Sequence, residues 1–248
     1  MGTNSKRRTV LIIHGWAQNA YVMQSRTKKL HKRISEKGYG CIYLEAPHLL
    51  PMTSMVEVDG LLVEVNNGDR ENAKAWFMYS EQDPSDASMA LQETPMQYFG
   101  LDASISIIKE CLCKLEKEQS CTIFGFSQGA TFVHILSMLA ATARKKPDCK
   151  YLSPFAKIDS AILVSGFASM HQGSVTETIQ DTNSEDLIEI RSLHIIGGRD
   201  TSVLKSYGDK LAALYSEPQI YIHDKGHFIP HNKALIDTVI EFLETHDE

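Results

Sequence analysis

The segment Gly125-Phe126-Ser127-Gln128-Gly129 follows directly on the apolar run Cys121-Thr122-Ile123-Phe124 and leads straight into a helical pattern. A serine flanked by glycines between a strand and a helix has the pattern of a nucleophile elbow. Such a turn forces the serine into a strained backbone conformation that exposes its hydroxyl. The glycines on either side let neighbouring backbone approach where a larger side chain would crowd the turn. Five residues of such common types say little alone; their setting between strand and helix carries the weight.

The order of possible partners narrows the fold. Ser127 is followed by Asp200, at the end of Leu193-His194-Ile195-Ile196-Gly197-Gly198-Arg199-Asp200, and then by His227 in Asp224-Lys225-Gly226-His227-Phe228. Serine, then acid, then histidine is the order of α/β-hydrolases, whereas other serine enzymes arrange the same three residue types differently. Asp200 closes a β-branched run and its glycine-rich exit. His227 follows the strand-like Gln219-Ile220-Tyr221-Ile222 and precedes a C-terminal helix.

The rest of the chain alternates in the same way. Strands are expected at Thr9-Val10-Leu11-Ile12-Ile13, Cys41-Ile42-Tyr43-Leu44, Ala161 to Ser165, Leu193 to Ile196 and Gln219 to Ile222, and helices over 19–37, 101–118, 129–144 and 232–243. Alternation of this kind predicts an α/β fold: a mostly parallel central sheet with crossover helices on both faces. Two stretches depart from it. Residues 48–100 are long for a connection and carry methionines and aromatics, among them Trp76 and Phe77, and residues 168–190 are polar. Both follow the carboxyl ends of strands, where open α/β sheets bind ligands. Trp76 and Phe77 are therefore expected to line an apolar cleft, the alternative being that they pack the insertion onto the body. The polar stretch is expected to form a mobile rim.

Size and charge exclude several classes. A chain of 248 residues with 43% hydrophobic content can form one domain with a substantial core. A net charge of −6 argues against nucleic-acid binding, which needs a basic face. The five cysteines lack C-x-x-C spacing, so neither a disulfide framework nor a zinc site is indicated, and a reducing, cytoplasmic location is expected. No apolar run reaches membrane-spanning length, and the N-terminus lacks the apolar region of a signal peptide.

Other residues compete for roles. His223, His227 and His231 recur at four-residue spacing, but Gly226 and Pro230 interrupt any helix that would align them on a metal, and no carboxylate or thiol cluster completes a site. His223 is the alternative base and Asp224 the alternative acid, with packing and a solvated turn as their ordinary fates. His14 reads as orienting the loop after the first strand or, more simply, as hydrogen-bonding backbone there, Gln18 and Asn19 as braces of that loop, and Asn19 equally as the N-cap of the first helix.

Taken in order, His14-Gly15-Trp16-Ala17-Gln18-Asn19, Glu45-Ala46-Pro47, Ala75-Trp76-Phe77, the elbow, Gly198-Arg199-Asp200 and Gly226-His227-Phe228-Ile229-Pro230 resemble the FSH family of serine hydrolases over roughly residues 8–244. The H-G-x-x-Q-N string and the Ala-Trp-Phe segment carry the specific part of the resemblance. It implies a serine hydrolase acting on a small-molecule ester or thioester, with no metal or organic cofactor. The expected machinery is Ser127 as nucleophile, His227 as base and Asp200 as its orienting acid, with the backbone N–H groups of Trp16 and Gln128 as oxyanion donors. The insertion points to an apolar acyl chain. A catalytically silent binding protein of this fold, or an acyltransferase using the same residues, would read alike.

Overall fold

All five residues of the first strand, β1 (Thr9–Ile13), are buried. A strand with no polar face must be covered on both sides, the condition of an interior strand in a parallel sheet. The computed structural model describes residues 8–50, 53–58, 61–66, 72–79, 98–169 and 187–245, without the side chains of 53–58, 61–66 and Tyr79. The polar stretch expected to form a rim falls largely outside them.

Two helices, α1 (Ala20–Arg26) and α2 (Lys28–Glu36), occupy the span where one was expected. Thr27 makes the break. Its hydroxyl donates to the Met23 carbonyl at 2.8 Å and pairs with the Tyr43 hydroxyl at 2.7 Å, and its backbone (φ −103, ψ 12) leaves the helical region. The second strand, β2 (Gly40–Leu44), opens onto the long insertion. That insertion contributes short antiparallel pairs: β3 (His48–Leu49) with β6 (Lys74–Ala75), β4 (Thr53–Val58) with β5 (Leu61–Asn66), and β7 (Met78–Tyr79) with β8 (Tyr98–Phe99).

The regular alternation then resumes with α3 (Leu101–Lys114), β9 (Cys121–Phe126), α4 (Gln128–Lys145) and, after a 3-10 turn at Ser153–Lys157, β10 (Ile158–Val164). The chain closes through β11 (Arg191–Gly197), α5 (Lys205–Ala212), β12 (Pro218–His223) and α6 (Lys233–Glu244). Helix α3 stops short of its expected end, where Lys157 Nζ donates to the carbonyls of Leu112 (3.0 Å) and Leu115 (2.8 Å). Helix α5 was not expected, because Gly208 weakens its local signal. A Cβ there would lie 3.0 Å from the Ile196 side chain, so the glycine permits close packing on β11.

Among the described residues, six parallel strands form the central sheet in the order β12-β11-β10-β9-β1-β2. This is an α/β-hydrolase fold, with the core split by the sheet. Leu11, Ile13, Ile123 and Leu163 pack with residues of α3, α4 and α5 on one face. Val10, Ile12, Phe124, Ile162 and Leu193 pack with α1, α2 and α6 on the other. The chain leaves β1 towards β2, returns to β9 on the other side of β1, and continues outward to β12. The crevice above the carboxyl ends of β1 and β9 is therefore a topological switch point, where folds of this class bind ligands.

Candidate active site

Ser127 stands at that switch point, between β9 and α4, with φ 55 and ψ −122. Its N–H still continues the sheet ladder, donating to the Val164 carbonyl at 2.9 Å. Only hydrogen fits at Gly125, whose Cβ would run into the backbone of Gly129, and at Gly129, whose Cβ would run into the His14 carbonyl and lie 2.6 Å from that of Ile13. The two glycines thus let the first turn of α4 rest on the end of β1. A Cβ on Gly15 would come within 3.3 Å of the Ser127 Cβ, so the loop after β1 abuts the serine.

The turn after β11 and the loop after β12 are joined by backbone hydrogen bonds, Gly198 N–H to the His223 carbonyl (2.7 Å) and Arg199 N–H to that of Lys225 (3.0 Å). That pairing brings Asp200 and His227 together. His227 Nδ1 lies 2.7 Å from Asp200 Oδ2, and His227 Nε2 lies 3.0 Å from Ser127 Oγ. An ionised carboxylate only accepts, so Nδ1 carries the proton and Nε2 is left to accept from the serine. Asp200 Oδ1 accepts the N–H groups of Ser202 and Val203, each at 2.9 Å. Burial pushes the Asp200 carboxyl up, but the hydrogen bonds from His227 and Val203, the imidazole charge and the Ser202 N–H outweigh it and leave its pKa below the ordinary value.

The competing residues are occupied elsewhere. His223 is buried, with Nδ1 accepting the Lys225 N–H at 3.3 Å and its ring edge-on to Phe228. Asp224 is exposed beside Lys225. Among the described residues no group of three histidine, cysteine, aspartate or glutamate side chains could hold a metal ion. No helix there is long and apolar enough to cross a membrane.

Trp76 and Phe77, for which lining a cleft and packing the insertion onto the body were both open, are completely buried. The Trp76 ring lies 5.1 Å from both the His14 and Phe132 rings, and Phe77 stacks on Tyr98 at 4.2 Å. Trp76 fills the space between α4 and the loop after β1, so it is wall rather than surface. Trp16, in contrast, is partly exposed.

His14 is fully buried and braces the loop. Ala46 N–H donates to its Nε2 (3.2 Å), so the proton resides on Nδ1 and is given to the Gly15 carbonyl (2.9 Å). Burial holds its pKa below the usual imidazole value, keeping the ring neutral. Gln18 Oε1 accepts the Gly15 N–H at 3.4 Å, and Asn19 caps α1 through the Val22 N–H at 2.9 Å. Glu45, which sequence reasoning left without a role, accepts the Ala20 N–H at 2.9 Å and pairs with Lys74 at 3.1 Å. Its presence in a string shared with the FSH family was the only signal.

The chain is similar to known proteins over nearly its whole length. The profile of the family described as "Serine hydrolase (FSH1)" matches residues 3–239. The esterase OVCA2 of Xenopus tropicalis is 28% identical, covering 95% of this chain and 91% of its own. The protein "Family of serine hydrolases 2" of Saccharomyces cerevisiae is 26% identical, covering 96% and 98%. Among solved structures, acyl-protein thioesterase 2 of Zea mays aligns over 99% of this chain and 96% of its own with a TM-score of 0.60 and 18% identity, a likeness of fold. This chain belongs to the FSH1 family of serine hydrolases.

Proposed function

We propose that the chain hydrolyses carboxylic esters or thioesters through Ser127, His227 and Asp200. The observation that carries this reading is the continuous relay from Ser127 Oγ through His227 to Asp200, at 3.0 and 2.7 Å. Ser127 Oγ attacks the acyl carbonyl while His227 Nε2 takes its proton. The imidazolium then protonates the departing alkoxide or thiolate, leaving an acyl-enzyme. Water, deprotonated by the same nitrogen, releases the acid and restores the serine. Asp200 holds the Nδ1–H tautomer and stabilises the imidazolium.

The tetrahedral oxyanion would be held by the backbone N–H groups of Gln128 and Trp16. Gln128 opens α4, where the first N–H groups have no helical acceptor and the helix dipole favours negative charge. Trp16 follows the glycine that abuts Ser127. Its indole is partly exposed on the loop that abuts the nucleophile, and an apolar acyl chain suits such a surface. The backbone donors and the triad need neither metal nor organic cofactor for this chemistry.

The test is labelling with a fluorophosphonate and mapping of the modified residue, followed by a chain-length panel of esters and thioesters. Stoichiometric modification of Ser127, lost in His227→Ala, is the expected result. A folded protein whose Ser127 stays unmodified would instead be a binding protein.

A further inference from the structure

The Trp76 indole and the Gln128 side chain are buried polar groups that the proposed chemistry does not use, and their hydrogen bonds form one connected set. Gln128 Oε1 accepts the Trp76 N–H at 3.0 Å, and its Nε2 donates to the Phe77 carbonyl at 2.8 Å. The carboxamide thus grips the backbone of two consecutive residues of the insertion. Trp76 Nε1–H donates to the His14 carbonyl at 2.8 Å, while the Ser104 hydroxyl donates to the Trp76 carbonyl. His14 in turn holds the Gly15 carbonyl and the Ala46 N–H. Gln128 is 1% exposed, and Trp76 and His14 not at all.

This set joins two pieces of chain that are distant in sequence. One end is Gln128, whose own N–H is a proposed oxyanion donor. The other is the His14 carbonyl, two residues before Trp16, the second proposed donor. Between them the rigid indole fixes the separation, seated among His14 and Phe132. The His14 carbonyl also bounds the space at Gly129, where no Cβ fits.

We infer that Trp76 and Gln128 act through their side chains as positioning residues of the oxyanion hole, a clamp that sets the distance between its two backbone donors. The inference rests on the hydrolase reading above. Oxyanion donors work because they are aimed in advance at the charge that develops, and a small misplacement forfeits much of their effect. Loosening the clamp weakens a contact made in the transition state and leaves ground-state binding nearly as it was.

The experiment measures kcat and KM for p-nitrophenyl acetate in four proteins beside wild type, each well below its Tm. Trp76→Phe keeps an aromatic ring but removes the indole donor. Replacement of Trp76 by 3-benzothienylalanine removes only the N–H and preserves the fold if the phenylalanine variant does not. Gln128→Met removes both carboxamide hydrogen bonds while keeping the backbone N–H. Phe132→Leu trims the ring stacked on Trp76 without breaking a hydrogen bond, and so registers the effect of looser packing alone.

Expected is a fall in kcat and kcat/KM together, by roughly tenfold or more, in the Trp76 and Gln128 variants, with KM within about twofold. Phe132→Leu is expected to keep kcat within about twofold of wild type. The clamp is overturned if the Trp76 and Gln128 variants keep wild-type kcat, or if Phe132→Leu loses as much kcat for an equal drop in Tm. Wild type that neither turns over the ester nor takes up fluorophosphonate at Ser127 would overturn the hydrolase reading, and the clamp with it. An active wild type beside unaffected variants would sink the clamp alone.

Discussion

His227 Nε2 lies 3.0 Å from the hydroxyl of Ser127, a residue one hundred positions earlier in the chain. The two follow strands that are not neighbours: β10 and β11 separate β9 from β12 in the sheet. At about 4.8 Å per strand, the loop after β12 has to reach back some 14 Å along the carboxyl edge. Backbone pairing of residues 198 and 199 with residues 223 and 225 directs it there, and the Phe126 ring, 4.9 Å from that of His227, receives it.

The backbone of Ser127, at φ 55 and ψ −122, lies where a Cβ is strained. Strain of this kind costs on the order of 1–3 kcal/mol. On the proposed mechanism Ser127→Gly and Ser127→Ala should both abolish turnover, since neither keeps the hydroxyl. The glycine variant should nevertheless be the more stable by about 1 kcal/mol in urea denaturation, reversing the ordinary order of the two residues. An alanine variant as stable as the glycine one would show that the turn is relaxed.

Gly129→Ala adds a methyl group against the carbonyls of His14 and Ile13, neither of which can withdraw without pulling β1 out of register. Overpacking of this sort should lower unfolding free energy by about 3 kcal/mol and displace α4 from the loop after β1. Chemical denaturation measures the first effect. Loss of fluorophosphonate labelling at temperatures where the variant is still folded measures the second.

Asp200→Asn preserves size and can still accept the Ser202 and Val203 N–H groups through its amide oxygen. Its amide NH2 then faces His227 Nδ1, which must become an acceptor and move its proton to Nε2, the nitrogen that receives the serine proton in the proposed mechanism. A loss of about 10⁴-fold in kcat is expected, with the fold intact. Steady-state kinetics beside circular dichroism would check it, and a loss under tenfold would mean that the acid contributes little.

Two histidines outside the site make stability depend on pH. His134 and His194 are buried beside Tyr215; burial lowers the pKa of His134 to about 4, and burial together with the nearby His134 lowers that of His194 to about 3. Both rings are therefore neutral when folded and free to protonate when unfolded. Below the unfolded value of about 6.5 the unfolded chain binds more protons, so stability is full above that pH and declines as pH falls towards 4. Tm should drop steadily between pH 7 and pH 5. His134→Gln should flatten that slope, which differential scanning calorimetry across the range would reveal.

Much of this protein was legible in its residues because the informative signals are local. Alternating apolar runs and helical stripes specify a parallel sheet with covered faces, and glycines around a serine specify a strained turn. The order Ser127, Asp200, His227 suits the succession of strand ends on which those residues sit. Local signals also misled. Thr27 looks like any residue within a helix until its hydroxyl finds Tyr43, and Gly208 looks like a break until α5 packs against Ile196.

What only the tertiary structure decided is which groups are covered and which meet. Trp76 and Phe77 have the composition of a ligand cleft, yet both are fully buried, Trp76 against Phe132 of α4 and Phe77 against Tyr98. Gln128 is a helix-opening residue in sequence terms; that its carboxamide grips the Trp76–Phe77 backbone follows from a contact spanning about fifty residues. Residue type and period set the pattern of strands and helices, since those depend on neighbours along the chain. Burial and hydrogen-bond partnership depend on neighbours in space, and here those were chosen by the way the chain reverses at β1.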